Sequence, residues 1–114
     1  IKKLLVKEDK SAYLISNGVT VDKNNCKVYR NKNEIVCSKT EYQMLLYFME
    51  NKNQVLSKEM ILSHVWDSQG RYVDDNTVSV NIRRLRAKIE DDPRNPELIK
   101  TLHGMGYIWK EGKR

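Results

Sequence analysis

The stretch from Asn76 to Ile89 leaves this chain the least freedom. Stepped at about 100° per residue, Ile82, Leu85 and Ile89 fall within about 40° of Val78, a narrow core stripe along one side of a helix. Most of that helix therefore faces away from the core. Its outward surface carries Arg83, Ala87, Val80, Arg84 and Lys88, with Thr77 and Asn81 on one flank and Arg86 and Ser79 on the other. A solvated helix usually intersperses acids with bases, because i, i+4 pairs of opposite charge stabilise it. Here no Asp or Glu occurs between Asn76 and Ile89, and Val80 sits among cations where the core does not use it.

Ahead of this helix the hydrophobic period changes once. From Ala12 to Cys37, short runs at Tyr13–Ser16, Val19–Asp22, Lys27–Asn31 and Glu34–Cys37 are separated by Asn17-Gly18, Lys23–Asn25 and Asn31–Asn33. Asn and Gly tolerate the positive φ of tight hairpin turns, so the pattern predicts an antiparallel meander that needs cover on one face. The cover begins at Ser38-Lys39-Thr40-Glu41, a capping box in which the serine hydroxyl accepts from the amide three residues on and Glu41 reaches back. Cys37 and Tyr42 stand at staple positions. Tyr42, Leu45, Leu46 and Met49 then supply the i, i+3, i+4, i+7 stripe of a helix ending near Asn51–Asn53.

A second helix follows Ser57, with Ile61, Leu62, Val65 and Trp66 on one side. Asp67–Asp75 is a polar loop, too long for a tight helix-turn-helix connection. Beyond the third helix and Asp91-Asp92-Pro93, Leu98–Leu102 and Tyr107–Trp109 form a hairpin around His103-Gly104-Met105-Gly106. The expected fold class is α+β: a winged helix-turn-helix with an N-terminal four-stranded antiparallel sheet, three helices and a C-terminal β-hairpin wing. Residues 1–11 read as a linker or tail and 12–114 as one domain, a size that suits a single core.

Composition excludes several classes. With 39% hydrophobic and 32% charged residues, and only five Gly and two Pro, the chain is neither collagen-like nor low-complexity nor wholly disordered. Its longest apolar run, Met44–Met49, is too short to cross a bilayer, so no membrane partner is expected. Cys26 and Cys37 form neither a CxxC pair nor a disulfide framework, which suggests the reducing cytoplasm. No nucleophile stands beside a placed base, and two distant histidines offer no metal site. Gly104-Met105-Gly106 lacks the Lys-Ser/Thr of a phosphate loop. Neither catalysis nor a cofactor or metal is expected.

Lys and Arg outnumber Asp and Glu by 21 to 15, a net charge of +6 that favours a polyanionic partner. The charge is unevenly laid out, at +5 over residues 1–40, −3 over 41–76 and +4 over 77–114. Two faces of opposite sign would suit two partners. The outward residues of the third helix also match what a DNA major groove presents: arginine forks onto guanine, asparagine onto adenine, and a small apolar group meets the thymine methyl. A basic outward helix after a loop reads as a helix-turn-helix derivative, and the hairpin adds a wing whose tip, His103-Gly104, could approach a minor groove. The alternative is a winged-helix interaction module that docks an acidic protein or RNA polymerase without reading DNA sequence.

Several stretches then resemble one family. Cys37-Ser38-Lys39-Thr40-Glu41-Tyr42 with Leu45-Leu46, Leu56-Ser57-Lys58-Glu59 with His64-Val65-Trp66, Val73 through Arg86, and Ile99 through Tyr107 are similar to the C-terminal effector domain of OmpR/PhoB-type response regulators. Those are winged-helix transcription factors of bacterial two-component systems. The resemblance implies that a recognition helix, about 76–90, enters the major groove with Thr77, Val80, Asn81, Arg83 and Arg84. It implies DNA-backbone contacts at Trp66, Arg86, Lys88 and Tyr107, and a wing, about 98–109, near the minor groove. The family's wing tip often carries arginine, so His103 would make that contact weaker and pH-dependent. Asp67, Ser68, Gln69, Gly70 and Arg71 fall where the family has a loop that touches RNA polymerase. The resemblance further implies double-stranded DNA in tandem direct repeats, a receiver domain preceding Ile1 that answers a sensor histidine kinase, and a fragment monomeric alone but dimeric on DNA.

Overall fold

The computed structural model describes residues 12–66 and 75–111. The expected linker at 1–11 and the loop residues Asp67, Ser68, Gln69, Gly70 and Arg71 lie outside them. Four strands open the fold: β1 (Tyr13–Ser16), β2 (Val19–Asp22), β3 (Lys27–Arg30) and β4 (Asn33–Ile35), antiparallel and in that order across the sheet. Ser16 pairs with Val19, and Arg30 with both Val19 and Asn33. The turn residues behave as their chemistry dictates. Asn17 and Gly18 have φ of 52° and 83°, and Asn31 and Lys32 have 53° and 79°, the paired positive values of a two-residue hairpin. Lys32 takes a place that usually belongs to glycine.

Helix α1 (Lys39–Glu50) covers the inner face of this sheet, where Val19, Val21 and Val28 are buried. Its capping box forms: the Glu41 N–H donates to Ser38 Oγ (3.1 Å) and the Ser38 N–H to Glu41 Oε1 (2.9 Å). Such a cap stabilises a helix by about 1 kcal/mol. The buried face is offset from the expected stripe. Met44, Leu45, Phe48 and Met49 are buried together with Glu41, while Tyr42 and Leu46 are half-buried on its edge. The offset follows from neighbours on several sides, since α1 packs against β1, β7, α2 and α3 and so needs a wider face than a four-residue stripe supplies.

Helices α2 (Lys58–Val65) and α3 (Asp75–Ile89) complete the helical layer. Ser57 caps α2 by accepting from the Met60 N–H. In α3, Val78, Ile82, Leu85 and Ile89 are all buried, as their spacing predicts. The hairpin is β6 (Ile99–Leu102) and β7 (Gly106–Trp109). A two-residue strand that periodicity does not reveal, β5 (Val55–Leu56), joins it to give a three-stranded sheet in the order β5-β7-β6. Gly106 makes that junction feasible. Its φ is +138°, and a Cβ there would lie 2.2 Å from the Leu56 carbonyl oxygen. Trp109, fully buried, donates its indole N–H to Ser16 Oγ at 2.9 Å and so links the two sheets. Cys26 and Cys37 are free thiols.

Candidate nucleic-acid interface

Helix α3 presents its non-core side as the wheel requires. Arg83 and Arg84 are exposed, as is Ala87, and Thr77, Val80 and Asn81 are half-buried beside them. Among the described residues the carboxylate ion pairs engage Lys23, Lys27, Arg30, Lys52 and Lys88, and neither Arg83 nor Arg84. Arg84 feels the charge of Glu41 from a distance. Asn81 donates its side-chain amide to the Thr77 carbonyl one turn back, at 2.8 Å. Its second N–H and its Oδ1 remain available to fork onto a base edge.

The C-terminal end of α3 is held by polar ties that span the sequence. Arg30, on β3, donates from Nε to the Ile89 carbonyl (2.8 Å), from Nη1 to the Asn17 carbonyl (3.2 Å) and from Nη2 to Asp91 (3.1 Å). One guanidinium thus joins the helix C-terminus, where cations are favoured, to the N-terminal sheet. Lys88 donates to the Val36 carbonyl (2.9 Å) and to the buried carboxylate of Glu41. Burial pushes the Glu41 carboxyl up, but hydrogen bonds from Lys88 and the Ser38 amide, with the charges of Lys88 and Arg84, outweigh it and hold its pKa below the ordinary value. Lys88, expected at the DNA backbone, ties α3 to the start of α1.

Glu90 was not singled out by any sequence motif. Its buried carboxylate accepts from the amides of Glu97 (2.8 Å), Leu98 (3.0 and 3.1 Å) and Ile99 (2.8 Å), fixing the root of β6 directly beyond α3. Arg86 braces the same junction from one turn earlier. It donates from Nε and Nη2 to the Ile99 carbonyl (3.1 and 2.7 Å) and from Nη2 to Thr101 Oγ1 (2.9 Å), with its guanidinium 5.9 Å from the centre of the Tyr107 ring. Burial draws its pKa down, opposed by Glu90 and Tyr107. Two of its three nitrogens are therefore spent inside the chain, and its first task is to set the angle between α3 and the wing.

Trp66 and Tyr107, also expected at the DNA backbone, are core residues, each only 7% exposed. Whatever they offer a ligand comes from an edge. His103 is exposed at the wing tip, in a turn closed by the Met105 N–H on the Leu102 carbonyl (2.9 Å), with Gly104 at φ +79°. Met105 beside it is 62% exposed. The result is a basic helix with no acid between Asn76 and Ile89, and a braced hairpin next to it.

Residues 32–109 match the family described as transcriptional regulatory protein, C terminal. Response regulator ArlR of Staphylococcus aureus is 41% identical over 108 residues, which cover 95% of this chain and 48% of that protein. The chain spans about half the length of the curated relatives it matches. Among solved structures, response regulator DrrB of Thermotoga maritima, described as an OmpR/PhoB homolog, superimposes with a TM-score of 0.80 at 29% identity, over 93% of this chain and 48% of that one. The DNA-binding domain of RstA from Klebsiella pneumoniae, solved in complex with the RstA box, superimposes with a TM-score of 0.76 at 26% identity, over 86% of this chain and 96% of that one.

Proposed function

This chain belongs to the family of transcriptional regulatory protein C-terminal domains, the winged-helix DNA-binding effector domains of OmpR/PhoB-type response regulators, and from that premise we propose that it reads double-stranded DNA through the outer face of α3. Arg83 and Arg84 approach base edges as bidentate donors, Asn81 offers its second N–H and Oδ1, and Thr77 and Val80 contribute small apolar contacts. His103 meets the minor groove from the wing. Arg86, and the edges of Trp66 and Tyr107, face the sugar-phosphate backbone and fix register rather than sequence. Lys88 contributes to the field around the groove while tied to Glu41.

The observation that carries this reading is two arginines that enter no ion pair among the described residues, on a helix whose C-terminal turn is tied to both the N-terminal sheet and the wing. A guanidinium forks onto guanine only if its backbone is held to a fraction of an ångström, and Arg30, Lys88, Arg86 and Glu90 supply that hold. Residues 12–114 act as the reading unit, with 1–11 as its tether to a receiver domain that answers a sensor histidine kinase. Asp67–Arg71 meets RNA polymerase, and two copies bind tandem direct repeats in the cytoplasm although one alone is monomeric. The direct test is Arg84→Ala measured on a preferred duplex and on random duplex. A loss of about 1–3 kcal/mol confined to the preferred sequence supports base reading; equal losses on both would make Arg84 a phosphate contact.

A further inference from the structure

The loop between α3 and the wing separates its charges onto two sides. One side forms a cleft of about 90 Å³ in which Glu90, Asp91, Asp92 and Glu97 gather around Arg30. Three of the four acids there are occupied: Arg30 pairs with Asp91, Glu90 holds three backbone amides, and Asp92 accepts from the Arg94 N–H at 3.1 Å. The other side forms an open groove of about 400 Å³ against the flank of α3, lined by Ser79, Arg83, Arg86, Arg94 and Tyr107 with Ile82 and Pro93 beneath. No carboxylate lines it. Arg86 is fixed in its wall, with Nε and Nη2 already engaged and Nη1 left over. Arg83 and Arg94 are exposed, and neither takes part in an ion pair among the described residues.

Arg86 and Arg94 line this groove beside the base-reading Arg83, and with no carboxylate among its lining residues their like charges favour an anion there. The groove lies along the flank of α3, next to its outward face. We propose that this groove seats a DNA phosphate, and that Arg94, which belongs to neither the recognition helix nor the wing, closes it as a backbone clamp. The inference rests on the DNA-reading function above and adds a contact to it. Pro93 stiffens the approach to Arg94, and the Asp92 side chain fixes the Arg94 backbone, so the guanidinium is presented from an ordered turn.

The test is the salt dependence of binding to a mixed-sequence duplex, for the wild type, Arg94→Ala and the control Lys23→Ala. Lys23 lies beyond β2 and pairs with Glu50, so its loss removes one charge without touching the groove. Each phosphate contact contributes about 0.9 to the slope of log Kobs against log[salt]. Arg94→Ala is expected to lower the slope by about that amount, and Lys23→Ala to leave it unchanged. Methylphosphonate substitution, one phosphate at a time, should then reveal a position whose neutralisation weakens the wild type more than it weakens Arg94→Ala. An unchanged slope for Arg94→Ala overturns the clamp while leaving DNA reading intact, and equal drops in both variants reduce it to net charge. A wild type that does not bind duplex DNA overturns the clamp together with the function it rests on.

Discussion

Replacing Glu90 with alanine removes three acceptor contacts from the root of the wing. Two of the donors, the amides of Leu98 and Ile99, belong to residues 7% and 0% exposed, so water cannot replace the lost carboxylate; the third belongs to exposed Glu97 and can turn to solvent. An orphaned buried donor costs about 1–3 kcal/mol, so the two together should cost about 2–6 kcal/mol. Whole domains are stable by about 5–15 kcal/mol, which places Glu90→Ala near the edge of folding. Glu90→Gln keeps one acceptor oxygen but turns an NH₂ group toward an amide, and should lose roughly half as much. Urea unfolding at neutral pH gives the stability, and amide exchange at Leu98 and Ile99 gives its location. Exchange at those two amides should accelerate in Glu90→Ala more than at the centre of α1. A Glu90→Ala domain within about 0.5 kcal/mol of wild type, with those amides still protected, would refute the role of Glu90 in holding the root of β6.

Three further expectations come from the same ties. Arg86→Ala should lower the thermal midpoint as well as DNA affinity on all sequences, since charged hydrogen bonds contribute about 1.5–3 kcal/mol; Arg86→Lys should restore the salt slope but not the midpoint, and a midpoint unchanged in Arg86→Ala would deny the brace. Glu41 has its folded-state pKa depressed, so its stabilisation is present above the ordinary carboxyl pKa and is lost as pH falls through the folded value. Urea midpoints followed from about pH 6 to pH 3 should fall more steeply in wild type than in Lys88→Met, and parallel curves would remove Lys88 as the cause. Substitutions at Ser68–Arg71 should spare DNA affinity yet abolish activation in reconstituted transcription, and untouched transcription would count against the polymerase contact.

Local chemistry made much of this fold legible. Asn17-Gly18 and the asparagines of Asn31–Asn33 mark hairpins because Asn and Gly accept positive φ, Ser38 and Glu41 mark a helix start, and the stripe from Val78 to Ile89 marks both the core and the outward face of α3. What stayed hidden depends on partners far along the chain. Val55-Leu56 is too short to show an alternation, and becomes a strand only because Gly106 lets β7 approach it. Glu90 looks like any acid following a helix until the backbone of 97–99 folds onto it. Lys88 and Arg86 look like two more outward cations, and one-dimensional spacing cannot tell a cation aimed at a ligand from one tied to a carbonyl 13 or 52 residues away. Tyr42 and Leu46 were expected at the centre of the α1 stripe because a wheel assumes one neighbour, whereas α1 has several.

The central claim is that the outer face of α3 reads sequence. In vitro selection from random duplex DNA at near-physiological salt, with Arg84→Ala carried alongside, tests it most directly. The account predicts that the wild type enriches a short motif, as a direct repeat, and that Arg84→Ala loses one base of it. Enrichment of nothing, with binding that collapses as salt rises, would reduce the basic face to non-specific charge and contradict the claim.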